Sequence, residues 1–398
     1  MTIKPNYLFI NMKTKYKNCI NYIRNNQKEL TFHLPQDKGI HLSLPNPFIA
    51  PSSSESIFKN DQFYWDSYFI ILGVIKSGKV DLAKGMVDNF AYLCKRFGII
   101  PSRNRYYNLG ISQPPFFTSM VFEVFNKTKD KKWLQEMAKI AEYELKNYWV
   151  DSKKIHKVYK GLSRYCDHWH THLTAEHESG WDMTSRFNEK CLDFLPINLN
   201  CLLYKYETDI SLIYKKLGDK TKSKKYFDNS RKRIDVMNKL MWNEKKGFFF
   251  DYDYQDKKQS DFFSIAGFYP LWSKLATKNQ AKKVKENLSI FECSGGLANT
   301  QKEGLSEIFK QWDYPNGWPN QQWIVIKGLL NYGFKEDAER LAKKWLDMNK
   351  KVYEKTGTFW EKYNVVTVDK GKYGRYPTQK GFGWTNAIFI KLLNELNK

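Results

Sequence analysis

Six times along the chain, a short segment rich in aromatic residues, Gly or Pro runs into an apolar stretch with helical spacing. These openings are Phe63-Tyr64-Trp65-Asp66, Ser112-Gln113-Pro114-Pro115, Phe194-Leu195-Pro196, Ser260-Asp261-Phe262-Phe263, Asn316-Gly317-Trp318-Pro319 and Gly381-Phe382-Gly383-Trp384. Pro is tolerated near a helix start because that N–H has no intrahelical acceptor in any case. Between the openings lie Lys-rich segments whose apolar residues recur every three or four positions on one face, as in 80–97 and 335–350. Comparatively apolar helices need burial, whereas amphipathic ones have a face to leave in water. Six of the first kind alternating with the second predict an all-α protein, an (α/α)6 barrel or six-hairpin toroid. An irregular α-solenoid would also alternate, but solenoids repeat more strictly than these uneven intervals do. In such a barrel the segments before the inner helices meet at one mouth.

The rest of the chain fits one large unit. No linker is long or polar enough to mark a second domain in the 398 residues. Residues 1–50 are expected to form a helix and an extended lead-in containing Pro45 and Pro47, packed on a catalytic domain spanning 51–398. The run Phe248-Phe249-Phe250-Asp251-Tyr252-Asp253 reads as a hairpin or loop.

Charge and cysteine usage narrow the function classes. The formal net charge is +23, which raises nucleic acid as a partner. The lysines are dispersed, however. Their densest groups, Lys222-Ser223-Lys224-Lys225 and Lys282-Lys283-Val284-Lys285, read as solvated helix faces, and there is neither an arginine-rich arm nor a zinc-finger spacing. No nucleic-acid partner is expected. The six cysteines form no CxxC pair, so no metal or redox motif is expected either. No segment reaches the roughly 18 apolar residues of a membrane span. The first thirty residues lack the apolar core of a signal peptide. The expectation is a cytoplasmic monomer with reduced thiols, no membrane association and no cofactor.

The chemistry is concentrated where carboxylates stand beside tryptophan. Four segments do this: Trp65-Asp66, Glu178-Ser179-Gly180-Trp181-Asp182, Gln311-Trp312-Asp313-Tyr314-Pro315-Asn316-Gly317-Trp318 and Trp360-Glu361-Lys362-Tyr363. Glycoside hydrolysis needs two carboxyl groups, one to protonate the leaving oxygen and one to activate water or attack directly. An indole wall desolvates a carboxyl and keeps it protonated at neutral pH. Aromatic faces also stack on sugar rings, and aromatic residues make up 16% of this chain. A helix N-cap explains any one such carboxylate taken alone; four together point to glycosidic chemistry.

These same residues carry a family resemblance. Gln311-Trp312-Asp313-Tyr314-Pro315-Asn316-Gly317-Trp318-Pro319 resembles one trehalase signature, and Tyr64-Trp65-Asp66-Ser67-Tyr68-Phe69 the end of the other. Glu178-Ser179-Gly180-Trp181-Asp182 with Thr184-Ser185-Arg186-Phe187 is similar to the segment that holds the trehalase general acid. Leu195-Pro196-Ile197-Asn198-Leu199-Asn200, Ser112-Gln113-Pro114-Pro115-Phe116-Phe117, Glu361-Lys362-Tyr363-Asn364 and Gly381-Phe382-Gly383-Trp384-Thr385-Asn386 match further blocks of glycoside hydrolase family 37. The resemblance implies an (α/α)6 barrel that inverts anomeric configuration without metal. It implies Asp182 as general acid and Glu361 as general base, a pair expected roughly 6.5–9.5 Å apart with water between. It places Trp65, Asp66, Gln113 and Gly180 on sugar contacts and Trp318 and Trp384 on the pocket wall. Asp313 is expected to be a structural member of its turn.

The chain departs from the family pattern in its arginines. Ile111 stands where the family has an arginine, Ser102 where it has an asparagine, and the 52–61 stretch lacks the arginine of the first signature. The Arg-Pro-Glu element ahead of the acid is replaced by Asp167-His168-Trp169-His170-Thr171-His172. The lid glutamate corresponds to Arg375, in the 368–375 stretch. Arg103, Arg105, Arg164 and Arg375 are the candidates to enter the pocket from other positions. His168, His170, His172 and His177 lack an HExxH-type spacing, so a sugar-contacting or surface loop is the expectation for them. The resulting expectation is an inverting glycoside hydrolase acting on a small sugar, α,α-trehalose first. The alternative is a related glucoside or mannoside, such as a glycerate conjugate. A basic helical binding scaffold without catalysis is the reading from another class.

Overall fold

The computed structural model describes residues 14–53, 56–151, 155–372 and 374–396. Residues 1–13 of the N-terminal segment, Ser54 and Glu55 of the 52–61 stretch and Tyr373 of the 368–375 stretch lie outside the described residues. The helices are α1 (Lys17–Glu29), α2 (Tyr64–Lys76), α3 (Val80–Phe97), α4 (Phe117–Thr128), α5 (Lys131–Glu144), α6 (His172–Glu178), α7 (Ile197–Leu217), α8 (Lys220–Met241), α9 (Tyr269–Trp272), α10 (Lys278–Glu286), α11 (Pro319–Asn331), α12 (Lys335–Thr356) and α13 (Gly383–Glu395).

Six of them close a ring. Neighbours touch in the order α2, α4, α7, α9, α11, α13 and back to α2. Each follows one of the six openings, so the (α/α)6 barrel expected from the alternation is the architecture observed. The fourth inner member is short and continues a 3₁₀ turn, Ile265–Phe268. The inner helices are enclosed on most sides: every residue of α2 from Tyr64 to Ile75 is buried. The outer helix α3 buries Ala83, Met86, Val87, Phe90, Leu93 and Cys94, the helical spacing of a single face. It stops at Gly98, whose φ of +75° is the left-handed conformation of a helix C-terminus. Closure of the ring depends on one small residue. A Cβ on Gly73 of α2 would lie 2.4 Å from the Ala387 Cα of α13, so only glycine permits this approach.

α1 takes the outer place beside α13. Tyr16 donates from its hydroxyl to Asp347 of α12 at 2.7 Å, and Asn386 of α13 donates to Asn26 at 2.6 Å. The segment after α1 pairs as two antiparallel strands, Thr31–Leu34 with Leu44–Ile49. The 248–253 run belongs to two small sheets. Phe248–Phe249 pairs with Trp242–Asn243, and Tyr252–Asp253 pairs with Phe194–Leu195 at the entry to α7. Another small sheet matters for the site. Asn316–Gly317 pairs with Tyr363–Asn364, which brings the 311–318 turn alongside the Glu361 loop.

Candidate active site

The acid loop is clamped on both sides of Asp182. Before it, Gly180 has φ +70°, and a Cβ there would stand 2.7 Å from the Trp65 ring. Both its conformation and its space demand glycine. Trp181 is fully buried and stacks on Trp312 with centroids 5.3 Å apart. After it, Glu176 Oε1 accepts from the backbone N–H of Met183 at 2.6 Å and of Thr184 at 3.0 Å. Asp313 accepts from the Thr184 hydroxyl at 2.8 Å and the Ser185 N–H at 2.9 Å, and it does not line the cavity. Its place in the turn is to hold the acid loop. Arg186, itself buried, forms a bidentate pair with Asp251 at 2.7 and 2.6 Å and fastens the loop to the start of α7.

Between these clamps Asp182 faces the cavity. Its Oδ2 accepts from the Gln311 amide at 3.1 Å and its Oδ1 from the Trp312 indole N–H at 3.3 Å. Burial pushes its carboxyl above the ordinary range; nearby Arg375, the Trp312 bond and Lys362 pull against that.

Glu361 is held differently. Its Oε2 meets the Lys362 ammonium at 2.7 Å, and its Oε1 accepts from the Tyr376 hydroxyl at 2.8 Å. The Lys362 side chain is fully buried and lies 4.8 Å from the Trp318 ring centre. The Trp384 indole donates to the Glu361 carbonyl at 3.1 Å, and the Glu361 N–H donates to the Gln379 carbonyl at 3.0 Å. Backbone and side chain are thus both fixed.

Tryptophans join the two sides. Trp312 and Trp318 stack in parallel with centroids 3.9 Å apart, and Trp384 stands edge-on to Trp318 at 5.6 Å and to Trp65 at 5.9 Å. The cavity they line has a volume of about 600 Å³, within the range of small-molecule sites. Asp182, Glu361, Trp65, Asp66, Gln113, Gly180, Trp318 and Trp384, scattered over 320 positions of sequence, all face it. Asp66 lies in the first turn of α2, and burial, then Glu361 and Asp182, hold its carboxyl well above the usual range. The Gln113 side-chain Oε1 accepts from the Trp65 backbone N–H at 3.3 Å.

Three of the four candidate arginines reach the cavity: Arg103, Arg105 and Arg375. Arg164 does not line it. Its guanidinium donates to the carbonyls of Ile155 and Leu192 and to the Tyr254 hydroxyl, closing a loop instead. Of the histidines, His177 lines the cavity and accepts from Arg375 at 2.6 Å. Burial, then Arg375, hold its pKa down to about 4, so it is neutral. The His172 ring accepts from the Leu192 N–H. Among the described residues no group of three His, Cys, Asp or Glu side chains gathers as a metal site would require. Lys362, Tyr376 and Trp312 were not singled out as site residues from sequence. Lys362 directly adjoins Glu361, and Trp312 belongs to one of the four segments that set a carboxylate beside tryptophan, which is the signal available for them.

The Trehalase family model matches this chain over residues 4–172 and 163–397. A cytosolic neutral trehalase of Beauveria bassiana is 33% identical over 88% of this chain; the chain spans 58% of that relative's length. A periplasmic trehalase of Escherichia coli is 32% identical over 89% of this chain and 69% of its own. The structure of a neutral trehalase from Saccharomyces cerevisiae superposes with a TM-score of 0.78 at 31% identity, covering 87% of this chain and 73% of that one.

Proposed function

The chain belongs to the trehalase family, and from that premise we propose that it hydrolyses α,α-trehalose to two glucose molecules with inversion. Asp182 gives its proton to the glycosidic oxygen as the C1–O bond breaks. Glu361 takes a proton from the water whose oxygen bonds to C1 on the opposite face. The observation that carries this reading is the asymmetry of the two carboxyls on one cavity. Among the described residues Asp182 accepts from a neutral amide and a neutral indole, and burial pushes it toward its protonated form against their pull. Glu361 has its charge compensated by Lys362. Trp65, Trp318 and Trp384 supply flat faces for the sugar, while Asp66 and Gln113 supply polar contacts to its hydroxyls. A buried carboxyl in that role gives specificity, because an analogue lacking the hydroxyl leaves it unpaired. All these residues lie in 51–398, which we assign as the catalytic unit; of the 1–50 segment, the described residues from 14 onward pack on it.

Incubation of the purified protein with trehalose, following glucose release, is the test. Release abolished by Asp182→Asn is the expected result. A folded protein that leaves trehalose intact and cleaves another disaccharide would sink the trehalose reading. It would favour the related glucosidase or mannosidase that Ile111 and Arg375 make the second reading. Cleavage of no sugar, together with salt-sensitive nucleic-acid binding, would favour the basic scaffold.

Compartment and assembly are further proposals. Among the described residues all six cysteines are unpaired, and no helix is long and apolar enough to cross a membrane. Relatives of both cytosolic and periplasmic name exist. We assign the cytoplasm, testable by cell fractionation, and a monomer, testable by light scattering.

A further inference from the structure

We propose that the leaving-group end of the cavity takes an aglycone bearing an anionic group, a phosphate or a carboxylate, on the guanidiniums of Arg103 and Arg375. This rests on the reading of the cavity as a glycosidase site, because that reading identifies the Asp182 side as the leaving-group side.

The cavity is lined by charges of both signs. Asp66, Asp182 and Glu361 lie among the tryptophans, whereas Arg103, Arg105 and Arg375 line the cavity from segments before α4 and before α13. Among the described residues one carboxylate forms ion pairs with two of these guanidiniums. Asp61, its side chain wholly enclosed, forms ion pairs with Arg105 and Arg103. Arg105 takes both of its oxygens at 2.7 Å and also donates to the Ile57 carbonyl and the Tyr107 hydroxyl. That arginine is spent on structure. Arg103 shares Asp61 at the longer distance of 3.3 Å, donates to Asn108 at 3.1 Å and lies 5.1 Å from the Phe63 ring centre. Arg375 has no carboxylate partner among the described residues. It rests on His177, held neutral, through one nitrogen. A guanidinium has five N–H donors in a planar fork suited to phosphate and carboxylate, so Arg103 and Arg375 retain donors for a ligand.

The segment bearing Arg103 is rigid before any ligand arrives. The Ser102 carbonyl accepts from the Tyr64 N–H at 2.9 Å, and the Ser102 N–H donates to the Ile111 carbonyl at 2.9 Å. Asn104 donates to the carbonyls of Leu42 and Asn60. Such anchoring lowers the ordering cost of binding. Arg375 lies on the acid side, where its charge draws down the Asp182 carboxyl. For a neutral leaving group that pull works against proton donation. An anion seated on Arg375 offsets it, so the preference reaches kcat as well as KM.

Three substrates decide the matter: α,α-trehalose, α,α-trehalose 6-phosphate and an α-glucoside of a small hydroxy acid. The expected result is that one anionic substrate exceeds trehalose in kcat/KM by roughly tenfold or more at low salt, as a charge-assisted hydrogen bond predicts. Which of the two does so separates phosphate from carboxylate. That ratio should fall toward one in Arg375→Gln and Arg103→Gln, and on adding salt. Arg375 is exposed to the cavity, so its variant reports even if Arg103→Gln does not fold. Efficient cleavage of trehalose with both anionic substrates no better, or a ratio unmoved by Arg375→Gln, overturns the inference and leaves the glycosidase reading intact. A folded protein that cleaves none of the three overturns both.

Discussion

Asp182 and Glu361 face one cavity, yet they are built into it by opposite means. Asp182 sits on a loop clamped through backbone and hydroxyl bonds to Glu176 and Asp313, and its own oxygens meet only an amide and an indole. Glu361 meets a buried ammonium and a phenol. Desolvation favours a carboxyl that keeps its proton, against the pull of the donors it meets; a cation in contact favours the ionised form. The roles proposed for them therefore rest on what surrounds two chemically similar groups. Burial also divides the cavity lining: Trp65, Trp312, Trp318 and Trp384 are buried and form what we call its floor, while the more exposed Arg103, Arg105 and Arg375 form its rim.

The largest test of the comparison removes each group in turn. Asp182→Asn and Glu361→Gln should each lower kcat by about 10² to 10⁴, the usual weight of a general acid or base. Steady-state rates checked against an unchanged melting curve measure this. Equal, near-normal rates would show that neither carboxyl does the chemistry. Next in size is Lys362→Met. It leaves the Glu361 carboxylate buried without its cation, which costs about 3–5 kcal/mol of stability where a buried pair is broken. A fall in melting temperature accompanied by a lower kcat, with KM little changed, is expected. A variant as stable and as fast as the parent would show that the ion pair is incidental.

Legibility from sequence divides along the same line. The inner ring could be read because each inner helix announces itself with an aromatic, Gly or Pro opening, and burial on most sides demands a comparatively apolar sequence. The floor could be read because Trp65, Trp318 and Trp384 lie within those openings and Asp182 directly follows a tryptophan in Ser179-Gly180-Trp181-Asp182. The rim could not. Arg103, Arg105 and Arg164 are alike in sequence, and only the packing sends the first two to the cavity and the third to the carbonyls of Ile155 and Leu192. Lys362 illustrates the intermediate case. It is next to the base in the chain, but a lysine in sequence reads as solvated, and its burial against Trp318 is a tertiary fact. The place of α1 beside α13 is equally tertiary, since it depends on Asn26 meeting Asn386 across 360 residues.

A smaller effect probes how the acid loop fits the floor. Gly180→Ala puts a methyl group 2.7 Å from the Trp65 ring, at a φ of +70° that alanine disfavours. Overpacking of this kind costs about 1–3 kcal/mol. Because Trp65 and Asp182 both shift, KM should rise and kcat should fall together. Denaturant titration and Michaelis kinetics on the same sample check it, and a change in stability alone would place Gly180 outside the site.

The smallest effect is a shift in pH dependence, and it addresses the asymmetry most directly. Asp182 must carry its proton to act as acid, so activity is lost as pH rises through its pKa. Burial raises that pKa, and the Trp312 indole, donating to Oδ1 at 3.3 Å, favours the ionised form and lowers it. Trp312→Phe removes the donor and keeps an aromatic ring against Trp318. The protonated form then persists to higher pH, and the descending limb of the kcat/KM profile should move upward. The low-pH limb should stay in place, because Trp312 makes no hydrogen bond to Glu361. A descending limb that moves downward, or both limbs moving together, would mean that the indole does not act on Asp182 and that the two carboxyls are not tuned separately.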